Sequence, residues 1–277
     1  MFAKCEHQNP GGSIKDRVAK AIVDDAEARG VLTPGATLIE ATAGNTGVGL
    51  ALVCAVRGYR LVCVMPEKMS VEKRVALARL GAEVIVTRNA PPSDPENFQN
   101  VAKELARARG YFLTDQFNAP ANVAAHEEGT GAEILNQVPG NIAAFVAGCG
   151  TGGTLTGVGR ALRRAHAEVR VVLADPLGSR LAGLVETGEL GPDGSYLVEG
   201  IGGSVAPNNL DLSLLCGAER VSDQESFAMV KRLVHEEGLL VGGSAAPTWS
   251  APSSRCALSR VPGTVLRSRW RRSSHDG

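Results

Sequence analysis

Apolar positions recur along most of this chain at two alternating periods. Val18, Ala19, Ile22, Val23 and Ala26 fall at helical spacing, which predicts a helix with one buried face, starting at Lys15 and stopped by Gly30. Residues 36–41 read as a short buried strand, 42–46 as a tight loop, and 48–56 as an apolar helix ended by Gly58. Further strands are predicted over 60–65, 83–87, 111–114, 142–147, 169–174, 218–221 and 239–241. Between them lie a helix capped by Ser70, a helix over 97–109, a mostly helical run over 121–138, a helix over 155–165, and one capped by Asp223 and reaching Glu237. Residues 176–209 read as a looser region. Regular alternation of strand and helix argues for an α/β fold with parallel sheets covered on both faces. Ligands of such sheets gather beyond the carboxyl ends of the strands.

Composition agrees with this picture. The chain has 277 residues, 44% hydrophobic and 21% charged, which allows one large or two moderate domains and a buried core. Formal net charge is zero, so nothing draws the whole molecule to nucleic acid or to a membrane surface. The balance hides an asymmetry: residues 245–277 hold six arginines and one aspartate, a formal +5, which leaves −5 elsewhere. Periodicity also collapses there, so residues 247–277 are expected to be an aberrant, disordered tail.

The six cysteines form no CxxC pair and no metal-spaced set with histidine, so no metal is expected. Cys54 and Cys63 sit in apolar runs as small core residues. The expected compartment is reducing and cytoplasmic. The start, Met1-Phe2-Ala3-Lys4, lacks the apolar stretch of a signal peptide, and no apolar run approaches the ~20 residues of a membrane span.

Three loops carry chemistry. In Asn9-Pro10-Gly11-Gly12-Ser13-Ile14-Lys15-Asp16-Arg17, a glycine turn delivers Lys15 into the first turn of a helix. The positive end of the helix dipole disfavours a cation there by roughly 0.3–1 kcal/mol, which favours the neutral amine that attacks an aldehyde. The alternative is a solvated lysine beside a cap. Gly150-Thr151-Gly152-Gly153-Thr154 follows a predicted strand and opens a helix, as a phosphate-binding turn does. It lacks the Gly-Lys-Ser/Thr of a P-loop; a plain turn is the other alternative. Thr42-Ala43-Gly44-Asn45-Thr46-Gly47 would be a second anion-binding turn, although Gly44-x-x-Gly47-x-Gly49 can also be read as a reversed dinucleotide fingerprint.

Taken in order with Gly242-Gly243-Ser244, these segments resemble the fold-type II pyridoxal-phosphate enzymes, in the cysteine synthase and cystathionine β-synthase branch. The resemblance runs from about residue 4 to residue 244. It implies two three-layer αβα domains of the tryptophan synthase β type: a large cofactor domain from 1–41 and 121–246, and a small substrate-carboxylate domain over 42–120. It implies pyridoxal 5'-phosphate held by Lys15, which is also the catalytic base. Asn45 would contact the cofactor's ring hydroxyl, Gly150, Thr151, Gly152, Gly153 and Thr154 its phosphate, and Ser244 its pyridine nitrogen, unless Ser244 merely caps a turn. Thr42, Gly44, Thr46 and Gln116 would hold the substrate carboxylate. Ala43 stands where the family usually has serine, so one hydroxyl is lost. His126 matches a family position with a structural duty.

The implied reaction is β-replacement on serine or O-acetylserine by a thiol, sulfide or homocysteine, giving cysteine or cystathionine. The rivals are a serine or threonine dehydratase-type lyase on the same fold and a truncated, non-catalytic relative. Asp175-Pro176-Leu177-Gly178-Ser179 and Val198-Glu199-Gly200-Ile201-Gly202-Gly203 look more like the cystathionine β-synthase side. The family's N-terminal segment is almost absent here. Expected partners are small-molecule amino acid and thiol substrates and a second copy of the chain in a homodimer, with no nucleic acid and no membrane.

Overall fold

The computed structural model describes residues 2–42, 44–91 and 93–250. Two parallel sheets organise it. Strands β1 (Thr37–Ala41), β2 (Arg60–Pro66), β3 (Glu83–Thr87) and β4 (Phe112–Leu113) form the first, in the order β3-β2-β1-β4. Strands β5 (Ala144–Ala147), β6 (Arg170–Pro176) and β7 (Leu215–Val221) form the second, in chain order. Every pairing is parallel. The sequence division placed residue 41 at the end of the larger unit. In the structure β1 bonds to β2 and β4, with Leu38 opposite both Leu61 and Phe112, so it belongs to the first sheet.

Both faces of the first sheet are covered, which is why its strands read as near-continuous apolar runs. On β1, Leu38 points to a core shared with Ala19, Val23, Leu50, Cys54, Cys63, Met65 and Leu77. Its neighbour Ile39 points the other way, to Val62, Val64, Ala102 and Ala106. Full burial of each such leucine or isoleucine contributes about 1.5–3 kcal/mol. Helix α1 (Lys15–Ala28) buries the five residues its spacing predicted and packs on α2 (Asn45–Arg57). It also contacts α5 (Pro120–Ala124) and the π-helical turn Ala125–Gly131, which lie beside the second sheet. Helix α1 is therefore the piece shared by both halves.

The remaining helices are α3 (Val71–Arg79), α4 (Phe98–Arg109), α6 (Ala132–Gln137), α7 (Gly153–Ala165), α8 (Leu181–Thr187), α9 (Asp223–Glu237) and α10 (Ala246–Ser250). Four expectations change. The region expected to be loose contains α8, whose start is fixed by Asp175 Oδ2 accepting the Ala182 N–H at 2.8 Å. Ser222, not Asp223, caps α9, through a reciprocal capping box with Glu225. No strand forms over 239–241: Gly238 closes α9 in the left-handed region and the Leu239 N–H bonds back to Leu233, so the segment meets no ladder and Leu240 is exposed. Residues 247–250 of the expected tail are helical, with Pro247 and Ser250 buried; the rest of that tail lies outside the described residues.

Candidate active site

The loop before α1 is built to present Lys15. The Gly11 N–H donates to Asp16 Oδ2 at 2.6 Å, and the Lys15 N–H donates to Ser13 Oγ at 3.2 Å. Asn9 Nδ2 holds the Ser13 carbonyl at 3.0 Å. Arg17 then anchors the helix start: its guanidinium binds both oxygens of Glu6 and both of Glu133, at 2.7–2.9 Å. These charge-assisted pairs hold the Glu133 carboxyl down to about 2. Lys15 itself has no hydrogen bond or ion pair from its amine among the described residues. Burial pulls the pKa of that amine below the usual lysine value, against a small opposing effect of the nearby Cys149 thiol. Desolvation, not the helix dipole, is thus the main pressure toward the neutral amine. Gly49 permits the close approach of α2, since a Cβ there would lie 2.9 Å from the Lys15 carbonyl oxygen.

Opposite the lysine, β5 runs through Gly148 and Cys149 into the glycine loop and α7. A Cβ on Gly150 would lie 2.5 Å from the Gly200 carbonyl oxygen, and one on Gly153 would lie 2.1 Å from Asn122 Oδ1. Gly152 has φ +85° and would strike the Leu210 backbone. The loop is a backbone cradle that side chains would fill. Cys149, immediately before it, is buried, and burial pushes its thiol up to about 12, so it is an inert thiol at neutral pH.

The two candidate loops, 42–47 and 150–154, are joined by Gln116, which follows β4. Its Oε1 accepts from the Thr46 hydroxyl at 2.6 Å. Its backbone N–H and its Nε2 donate to the two oxygens of Glu40 at 3.3 and 3.4 Å. Its carbonyl accepts from Asn122 Nδ2 at 2.8 Å and from Asn209 Nδ2 at 2.9 Å. Asn122 Nδ2 reaches on to Thr151 Oγ1 at 2.9 Å. A continuous polar chain therefore runs Thr46–Gln116–Asn122–Thr151, from one candidate loop to the other. Asp115, just before the hub, has φ +44°, the one non-glycine residue in that region among the described residues.

Glu40 is a site residue that none of the sequence motifs marks. It is buried at the end of β1, bonded by the Thr114 hydroxyl as well as by Gln116, and desolvation raises its carboxyl to about 7. The signal for it was an acid inside the run Thr37-Leu38-Ile39-Glu40-Ala41. Asn122, Asn209 and the π-helical turn carried no sequence signal. His126, in that turn, is buried between Thr130 Oγ1, 3.0 Å from Nδ1, and Thr154 Oγ1, 3.3 Å from Nε2. Burial, with the charges of Lys15 and Arg17, lowers its pKa to about 3.

Of the residues named from sequence, the structure links Thr46 to Gln116 directly and Gln116 to Thr151 through Asn122, and sets Thr154 against His126. Lys15 lies close enough to Cys149, the residue before the cradle, for the two to interact electrostatically. Thr42 is buried, with its hydroxyl accepting the Gly44 N–H at 3.2 Å. Asn45 opens α2 and is exposed. Ser244 lies in the 3-10 turn Gly243–Ala245 after α9, and no hydrogen bond joins it to the cradle. No group of three or more histidine, cysteine, aspartate or glutamate side chains among the described residues could hold a metal. No helix among them is long and apolar enough to cross a membrane.

Comparison with known proteins bears on this geometry. A family model described as "Pyridoxal-phosphate dependent enzyme" matches residues 1–263. The chain is 44% identical over 246 residues to the cystathionine beta-synthase of Apis mellifera, covering 88% of this chain and 48% of that protein. It is 44% identical over 264 residues to the cystathionine beta-synthase of Saccharomyces cerevisiae, covering 92% and 52%. It is 42% identical over 244 residues to a cysteine synthase of Staphylococcus aureus, covering 87% and 76%. The chain thus spans about half the length of the cystathionine beta-synthases it matches. Among solved structures it resembles O-ureido-L-serine synthase, with a TM-score of 0.82 and 40% identity, covering 89% of this chain and 76% of that one.

Proposed function

This chain belongs to the pyridoxal-phosphate dependent enzyme family, and on that premise we propose that it catalyses β-replacement on serine or O-acetylserine by a thiol, sulfide or homocysteine. The observation that carries the reading is the Gln116 hub, which ties an anion site for a substrate carboxylate to a backbone cradle for a phosphate, with an unpaired, desolvated lysine amine beside them.

The residues present fit the family's cofactor. The cradle over 150–154 has no room for a side chain at Gly150, Gly152 or Gly153 and leads into the start of α7, where backbone N–H groups can bind an anion. When bound, pyridoxal phosphate supplies an electron sink for negative charge developing at the substrate Cα. Lys15 would hold the cofactor aldehyde, and its freed amine would be placed to take the Cα proton; burial lowers the pKa of that amine and so favours its neutral, basic form. Thr42, Gly44, Thr46 and Gln116 orient the substrate carboxylate. The Thr46 hydroxyl hydrogen is committed to Gln116 Oε1. Thr46 therefore offers the carboxylate its backbone N–H at the start of α2, and Gln116 offers its second Nε2 hydrogen. Asn45 and Ser244 are proposed for the cofactor ring hydroxyl and pyridine nitrogen on their places in the motifs.

The choice between cysteine and cystathionine as product rests on the wall behind Cys149. Segments 175–179 and 198–203 meet there: the Gly203 N–H donates to Ser179 Oγ at 3.0 Å, and the Gly202 N–H donates to the Cys149 carbonyl at 2.8 Å. Their likeness to the cystathionine β-synthase side favours homocysteine. We further propose a homodimer in a reducing cytoplasm, where the free Cys5, Cys54, Cys63, Cys149 and Cys216 stay as thiols.

The test is to load the purified chain with pyridoxal phosphate, record its absorption, and add serine and O-acetylserine separately, then sulfide or homocysteine. A visible band altered by one donor and restored by one thiol, with the thioether or cysteine product, supports the reading. Ammonia and pyruvate released from serine without a thiol would replace it with the lyase. A protein that stays colourless would end it.

A further inference from the structure

We infer that Asn122 and His126 are positioning residues that turn the hydroxyl hydrogens of Thr151 and Thr154 outward, as a matched pair of donors to the anion held by the glycine loop. The inference rests on the reading of residues 150–154 as a phosphate cradle and adds how its side chains are set.

At Thr151 the geometry leaves one solution. Asn122 is fully buried, and its amide faces the Gln116 carbonyl oxygen at 2.8 Å. Only the NH2 end can face a carbonyl, so the flipped amide is excluded. The second hydrogen of the same Nδ2 donates to Thr151 Oγ1 at 2.9 Å. The threonine oxygen is therefore an acceptor on its protein side, and its own hydrogen is free for a ligand. Neither Nδ2 hydrogen has an alternative use.

At Thr154 the same polarity follows from a neutral imidazole. His126 is held uncharged chiefly by its burial, with the Arg17 guanidinium adding to it, so one ring nitrogen carries hydrogen and the other must accept. A hydroxyl stands at each nitrogen, Thr130 at Nδ1 and Thr154 at Nε2. With the hydrogen on Nδ1, Thr154 would spend its O–H on the ring and turn a lone pair toward the anion. With the hydrogen on Nε2, Thr130 O–H donates to Nδ1, Nε2–H donates to Thr154 Oγ1, and the Thr154 O–H points to the anion. Only the second arrangement matches Thr151. It also gives the π-helical turn a task, since Thr130 and His126 both lie in it.

The test uses the whole chain, first without cofactor. Nitrogen-15 spectra of labelled histidine should show His126 neutral, with its proton on Nε2, across pH 5–8. A proton on Nδ1 overturns the inference, and this readout needs no variant to fold. Binding of pyridoxal phosphate and of phosphate-free pyridoxal is then compared. His126→Leu should weaken pyridoxal phosphate by about tenfold, the scale of one hydrogen bond to a charged group, and leave pyridoxal almost unchanged. His126→Gln, whose amide N–H can stand in for Nε2–H, should recover most of the loss. Equal weakening of both ligands would mean a general structural role and overturn the inference. Thr154→Val separates the two levels: if it leaves pyridoxal phosphate binding intact, the cradle reading itself fails. If Thr154→Val weakens binding and His126→Leu does not, only the positioning inference fails.

Discussion

The Thr46 hydroxyl donates to Gln116 Oε1 across 2.6 Å, joining residues seventy positions apart and fixing which end of the Gln116 amide faces which neighbour. Oxygen turned to Thr46 leaves Nε2 for Glu40 on one side and for a ligand on the other. Thr46→Val removes that donor and keeps the shape. The amide then loses its orientation, and the KM for the amino-acid donor is expected to rise about tenfold, with a smaller change in kcat. Steady-state kinetics at saturating thiol measures it; an unchanged KM would mean that Gln116 does not hold the carboxylate.

Two buried groups give stability opposite slopes with pH. Glu40 titrates at about 7 when folded, above the unfolded value of 4.5, so the folded state binds more protons between those limits. Its contribution is complete below 4.5 and lost as pH rises through 7, a loss of about 3 kcal/mol. His126 titrates at about 3, below its unfolded 6.5, so its contribution is complete above 6.5 and lost as pH falls toward 3, by about 5 kcal/mol. Glu40→Gln removes the first slope alone. Urea unfolding at pH 5 and pH 8 should show the variant gaining on the parent at the higher pH; an equal difference at both would refute the assignment.

Much of this was legible beforehand because it depends on local order. The apolar spacing of Val18, Ala19, Ile22, Val23 and Ala26 is a property of one helix, and the glycine loops announce themselves by residues that only particular backbones need. Asn122, Asn209 and Glu40 were hidden because their partners come from distant segments, and a single asparagine carries no mark of the carbonyl it will meet. The strand expected over 239–241 failed for the converse reason: apolar residues make a strand only where an edge receives them.

Gly49→Ala tests how α1 is seated. Its new Cβ would lie 2.9 Å from the Lys15 carbonyl oxygen and 3.1 Å from Ala19 Cβ, and neither atom is the end of a flexible chain. The two helices must separate, at an expected cost of about 1–3 kcal/mol. Lys15 moves with its backbone, so pyridoxal phosphate retention should fall along with the denaturant midpoint. Full retention at reduced stability would show that the lysine tolerates a shifted helix.

The left-handed turn at Asp115 has an implication for the order in which the molecule comes apart. An aspartate there sits roughly 1–2 kcal/mol above its relaxed backbone and is kept in place by the bonds that Gln116 makes to Glu40, Thr46, Asn122 and Asn209. Break those bonds and the residue springs back to ordinary angles, taking the amide with it. Amide hydrogen exchange should accordingly begin at 115–118 well before either core opens, so that a damaged or half-assembled copy loses its grip on substrate while still looking folded.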